Sequence, residues 1–259
     1  MNTTTLETPE PIIPTLNEVE EWRDLPDLEE LKPFVGAYQI SSFGSVRSLD
    51  RAAHFREGRC RPHEKKLKGK VLKLGVRGDL SRQAYYFAQL ANASLAAIGD
   101  RHRKKVRSFS VHRLVAFAFE VDGYDLYISE PQKYNTVDHL DRNTLNNYYK
   151  NLRFLSYSEQ KLHTGMHKNN ESGFKGVIYD KRGAHRNKPY TWRFSFNKER
   201  YSGKYYSTPV EAAMMRDKAL IALEEKGKIR PNIISLNFSK ELLSNKEVDR
   251  QLTFELIVM

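Results

Sequence analysis

TVDHLDRNTLNNYYKNLRFLSYSEQ, running from Thr136 to Gln160, decides how the chain is read. Its opening, NTVDHL, reads as a strand that ends on Asp138 and His139. A polar turn follows, then Asn151 before the apolar strand NLRFLS, then a polar helix start, so the run is one small ββα unit. Neighbouring strand residues point to opposite faces unless a bend or bulge redirects one. Asp138 offers a hard carboxylate oxygen of the kind Mg²⁺ or Mn²⁺ takes while keeping several waters. His139 titrates near neutrality and can take a proton from an attacking water. The Asn151 amide can orient the His139 ring and so select its tautomer. The run RNTLNNYYKN reads as a solvated turn. Together these residues point to phosphodiester hydrolysis.

Composition narrows the setting. The chain has 259 residues, of which 39% are hydrophobic and 29% charged, and this suits soluble modules. No run approaches the roughly 18 apolar residues of a membrane span, and no basic-then-apolar leader opens the sequence. The single cysteine, Cys60, excludes an intrachain disulfide and fits a reducing, intracellular (cytoplasmic) compartment. The net charge is +11 and is unevenly placed. Residues 1–32 carry nine acids against Arg23 and Lys32, whereas residues 50–110 carry 16 Lys/Arg against five acids and residues 171–204 nine against three. Two separate basic blocks suit a polyanion contacted at two places. Basic charge alone fits double-stranded DNA, RNA or a ribosome.

The expected organisation is modular. Residues 1–20 read as a mobile tail, 21–60 as an amino-terminal module with strands YQIS and SVRSL, and 61–104 as a basic β-rich segment with an insert. Between 52 and 112, residues 52–70 read as a basic loop, and KGKVLKL, AYYFAQLA and VRSFSVH as strands. Residues 105–163 hold the ββα unit, preceded by the helical apolar spacing of VHRLVAFAFE. Residues 164–172 read as a linker, 173–238 as a second folded module and 239–259 as an extension. In the second module GFKGVIYDK, YTWRFSFN and GKYYST are strand candidates. Thr208, Pro209 and Glu211 start a capped helix that Gly227 ends. The fold class is α+β: a central ββα unit plus a small three-stranded sheet with one helix. His54, Cys60 and His63 are too few, and too loosely spaced, for a zinc site.

The DH, NLR and terminal polar positions, with VHRLVAFAF upstream, resemble HNH homing endonucleases of the phage type, which have the ββα-metal fold. That resemblance implies that Asp138 is the metal-binding acid, His139 the general base and Asn151 the residue that orients the base. The last position is normally Asn or His and completes the metal site; here it is Gln160, whose amide sits on a longer stem. His163 stands one helical turn further on as a substitute. EWRDLPDLE and GAYQISSFGSVRSLDR resemble the amino-terminal module that accompanies such nucleases. SGFKGVIYDKRG, YTWRFSFN, YYSTPVEAAMMRDKAL and ISLNF resemble an Apetala/ethylene-response-factor (AP2/ERF-like) DNA-binding domain.

The second resemblance implies a sheet lying in the major groove, where a β-ribbon fits. Lys175, Lys181, Arg182, Arg186, Arg193 and Lys198 would contact phosphates and bases, and Trp192 would pack in the core. Lys65, Lys66, Lys68 and Lys70 form a further nucleic-acid contact in the first basic block. The expected function is a monomeric, metal-dependent (Mg²⁺ or Mn²⁺) endonuclease on double-stranded DNA, encoded by a phage or mobile element. The alternative is a non-catalytic DNA- or RNA-binding descendant that has lost its metal site, with Gln160 as the discriminating residue.

Overall fold

The computed structural model describes residues 10–55, 63–79, 83–91, 106–167, 169–184 and 187–244. The insert at 92–105, Cys60, Arg186 and the carboxy-terminal stretch from 245 lie outside the described residues, as do the side chains of His54, His63 and Lys65. The chain mixes small antiparallel sheets with short helices, an α+β architecture. Its described residues divide into two units, one ending at Leu155 and the other beginning at Ser156. The division falls ahead of the polar stretch at 164–172. Among the described residues no helix is long and apolar enough to cross a membrane.

In the first unit β1 (Trp22–Asp24), β2 (Tyr38–Ser41), β3 (Val46–Ser48) and β6 (Lys70–Val71) form one antiparallel sheet. Between β3 and β6 the expected loop is instead a hairpin, β4 (Arg51–Phe55) with β5 (His63–Leu67). Ladder hydrogen bonds at the backbone override a side-chain pattern that, read by composition, is basic and loop-like. A second sheet joins β7 (Gly75–Asp79), β8 (Gln83–Ala91) and β9 (Val106–Ser110). Tyr38 ties the two sheets, because its hydroxyl accepts from Ala91 N at 2.9 Å and donates to Ala91 O at 3.0 Å.

The helix expected from VHRLVAFAFE is α1 (Val111–Ala118). Its Val111, Leu114, Val115, Ala116, Phe117 and Ala118 are all buried, so it forms the centre of the core rather than a surface helix. It packs on β2, β8, β9 and the hairpin of β10 (Thr136–His139) with β11 (Leu152–Leu155). A short helix, α2 (Tyr124–Ser129), lies against β11 and was not evident from the sequence.

The second unit begins with α3 (Tyr157–His163), started by a full capping box between Ser156 and Glu159. Its sheet is β12 (Val177–Tyr179), β13 (Tyr190–Phe196) and β14 (Glu199–Ser202). The third strand therefore comes earlier than GKYYST. Asn197 and Lys198 both take positive φ, 48° and 68°, making a tight two-residue turn that sends the chain straight back. Tyr206, from the stretch expected to be the strand, makes only an isolated bridge to Tyr190. A one-turn helix, α4 (Lys181–Ala184), joins β12 to β13.

The long helix α5 (Pro209–Glu225) has the expected Thr208–Glu211 capping box and the expected Gly227, with φ 68°, just past its end. It packs Ala212 and Ala213 on Val177 and Trp192. Gly203 has to be glycine for this packing, since a Cβ there would meet the Trp192 ring nitrogen at 2.1 Å. The ISLNF segment is pinned to α5 by Asp217, which accepts from the backbone N–H of Asn237 at 2.5 Å and of Phe238 at 3.1 Å.

Candidate functional site

The β10–β11 register sets Asp138 opposite Arg153 and His139 opposite Leu152. Opposed residues share a face of the ladder, so Asp138 meets Arg153 directly. Its Oδ2 accepts from Arg153 Nε and Nη2, each at 3.1 Å. The pair is enclosed, with Arg153 3% and Asp138 8% exposed. The candidate metal-binding acid is therefore also half of a buried ion pair, a feature that the spacing of the motif does not disclose.

The turn after His139 is a succession of Asx turns rather than a loose solvated loop. Asp141 Oδ1 accepts from Asn143 N at 2.8 Å, Asn143 Oδ1 from Leu145 N at 3.1 Å, and Asn146 Oδ1 from Tyr148 N at 3.3 Å. Asn151 closes this loop from inside. Its Oδ1 accepts from Asp141 N at 3.0 Å, and its Nδ2 donates to Asp141 Oδ1 and to Asn146 O, both at 2.9 Å. The expected Asn151–His139 hydrogen bond is thus replaced by bonds to the loop backbone and to Asp141. The physical reason is local: a fully buried amide takes the nearest backbone groups that the turn leaves open. Asn151 acts on the site by shaping the loop.

The residue beside His139 is Asn147 instead. Burial pushes the His139 pKa down, and the Asn147 side chain, Asp138 and Asp141 oppose that push without cancelling it. Asn147 Oδ1 itself makes no well-formed hydrogen bond. His139 is 4% exposed, and its Nε2 is buried without a hydrogen-bond partner. Burial thus favours the uncharged ring, the form a general base requires.

Two further rings complete the surroundings. His112, on the first turn of α1, lies with its ring centroid 5.4 Å from that of His139, and Tyr85 on β8 lies 5.1 Å from His112 and 6.2 Å from His139. Burial, then His139, then Arg113 push the His112 pKa down to about 3. Burial and the Asp138 charge raise that of Tyr85. On the sequence His112 reads as a residue that fixes the helix or contacts phosphate rather than as the base, and Tyr85 is not singled out; only the fold brings β8 and α1 to the end of β10. Among the described residues no three His, Cys, Asp or Glu side chains gather as a ready metal cluster.

Gln160 lies on α3, in the second unit, and His163 is buried on the same helix. The candidate nucleic-acid residues divide by what they already do. Lys66, Lys68, Lys70, Lys181 and Lys198 are exposed. Lys175 is half-buried, and its Nζ donates to Leu162 O at 2.5 Å and to Thr164 O, holding the carboxy end of α3. Arg182 and Arg193 are exposed but share Asp180, at 2.8 Å and 3.2 Å. Arg182 holds the Asp180 carboxyl well below the usual range. Trp192 is 8% exposed and in the core, as expected.

The segment that leads into this site also has a match among known families. Residues 20–77 match the NUMOD4 motif. In the structure the β2–β3 turn of the NUMOD4 segment abuts the Asx loop: Tyr149 N donates to Ser42 O at 3.0 Å, and the Phe43 ring lies 5.8 Å from that of Tyr148. The chain is also similar to a protein of Acanthamoeba polyphaga mimivirus named an uncharacterized HNH endonuclease, 29% identical over 126 residues. That alignment covers 49% of this chain and 26% of the relative, so the chain spans about a quarter of the relative's length. No solved structure matches.

Proposed function

We propose that the chain is a metal-dependent HNH DNA endonuclease of homing type. The observation that carries this reading is His139: a buried imidazole whose pKa burial pushes down, with Nε2 making no well-formed hydrogen bond, at the end of the strand that presents Asp138. The NUMOD4 match, a motif associated with HNH endonucleases, and the distant viral relative support an HNH-type nuclease. In the mechanism His139 accepts the proton of the attacking water at Nε2. Asn151 keeps the loop that carries Asp141 and Asn147 in place. Arg153 fixes the orientation of the Asp138 carboxylate.

A hard divalent cation suits this donor set, because Mg²⁺ or Mn²⁺ needs few protein oxygens and keeps its waters. Asp138 would hold it, with Gln160 taking the motif's last ligand position by its place in the sequence alone. When bound, the cation supplies charge neutralisation at the phosphate and the leaving oxygen. The three-stranded sheet of the second unit, read as AP2/ERF-like, would bind double-stranded DNA through Lys181, Arg182, Arg193 and Lys198. The first basic block would add Lys66, Lys68 and Lys70. A monomer with one such site nicks one strand per engagement.

The buried Asp138–Arg153 pair favours a second reading. A guanidinium on the carboxylate competes with a cation, and a chain that no longer loads metal would be a DNA- or RNA-binding protein. Nicking of supercoiled plasmid carrying DNA from the genomic neighbourhood, with Mg²⁺ or Mn²⁺, separates the two. The nuclease nicks, and His139→Ala loses at least ~100-fold in rate while binding DNA as before. Salt-sensitive binding without nicking favours the second reading.

A further inference from the structure

The first turn of α1 carries a residue that the helix does not need. Val111 and Leu114 to Ala118 account for its place in the core, and Arg113 caps nothing on the helix but donates to Asn135 O at 2.7 Å. His112 has no comparable bond: its Nδ1 is buried and has no partner. It stands edge-on to His139, centroids 5.4 Å apart and planes at 67°, and the second ring likewise leaves Nε2 buried and unpartnered. A buried polar atom without a partner is destabilising, so two in contacting rings need an explanation. A histidine retained only for packing would be expected to turn a nitrogen onto a backbone carbonyl. Tyr85 lies tilted against both rings, and the Ser110 N-cap of α1 makes no side-chain cap, which leaves the amino end of the helix favourable to negative charge.

We propose that His112 is a second substrate-contacting imidazole of the site, donating from Nδ1 to an oxygen of the phosphodiester that His139 serves. This rests on the nuclease reading for the reaction, but the contact itself is to a DNA phosphate and needs no turnover. A neutral imidazole carries one N–H and one acceptor nitrogen, so His112 can donate while His139 accepts, and two neutral rings can adjoin without charge repulsion.

The test uses the full-length chain with ¹³C-labelled histidine and a short duplex DNA as probe, without added metal. There are eight histidines, and the ring signals of His112 and His139 are assigned by their loss in His112→Asn and His139→Ala. The proposal expects both signals to move as DNA is added. It further expects His112→Ala to nick about 100-fold more slowly, the loss typical of one hydrogen-bond donor, with a smaller loss of DNA affinity. His112→Asn, which keeps an N–H in place of Nδ1–H, should recover most of that loss. A His112 signal that stays still while DNA binds overturns the proposal, even if His112→Ala slows nicking, because the ring would then only brace His139. Wild-type protein whose two signals move but which never nicks keeps the phosphate contact and removes the nuclease reading. Should His112→Ala fail to fold, the wild-type signals and the Asn variant still decide.

Discussion

Asp138 shows how one side chain can be asked to do two things. As a metal ligand it would be tested by removal, yet removal also strips the carboxylate from a guanidinium that is only 3% exposed. Breaking a buried pair from one side costs about 3–5 kcal/mol, whereas an amide in its place still accepts from Arg153. Asp138→Ala should therefore lower the urea midpoint strongly and Asp138→Asn much less, with nicking lost in both. Equal midpoints would mean that the pair contributes little. His112 adds a pH signature. Its pKa is about 3 in the fold against an ordinary 6.5, so between those values the unfolded chain binds a proton that the folded one excludes. Stability is then full above about pH 6.5 and falls as the pH drops towards 3, by up to ~1.4 kcal/mol per pH unit for one proton. His139 is shifted in the same direction. His112→Asn should flatten the slope of midpoint against pH, and an unchanged slope would place the proton elsewhere.

At the scale of elements, what reads locally was legible and what depends on pairing was not. Thr208, Pro209, Glu211 and Gly227 announce α5 because caps are chemistry within a few residues. The β10 strand, the turn and β11 follow from apolar spacing around Asp138 and Asn151. The partner of Asn151 did not, since an amide's hydrogen bonds depend on which backbone groups the folded turn leaves open. Nor did the Tyr85–His112–His139 contact, which joins residues far apart in sequence, or the β4–β5 hairpin hidden under a basic composition. The β2–β3 turn carries the clearest element-level prediction. Gly44 has φ 91°, and a Cβ there would sit 2.6 Å from Asn147 Cβ. Gly44→Ala should cost about 1–3 kcal/mol by strain and overpacking. It should also slow nicking, since Asn147 is the side chain beside His139. Full activity with a lowered melting temperature would separate the turn from the site.

For the whole molecule the question is whether both basic blocks meet the same DNA. Phosphate neutralisation releases counterions, so each contact adds about 0.9 to the slope of log affinity against log salt. Lys66, Lys68 and Lys70 in the first unit, and Lys181 and Lys198 in the second, are exposed and available for such contacts. Lys175 is different: its ammonium already serves two carbonyls at the end of α3, so its charge should matter to the fold more than to DNA. Duplex binding measured across a salt series should show a shallower slope for Lys66→Ala/Lys68→Ala/Lys70→Ala and for Lys181→Ala/Lys198→Ala. In the five-fold variant the two reductions should sum if one DNA engages both units. Lys175→Ala should leave the slope alone and lower the melting temperature. A slope that responds to only one block would confine DNA binding to that unit, and the other block's charge would then have to be explained by a different partner.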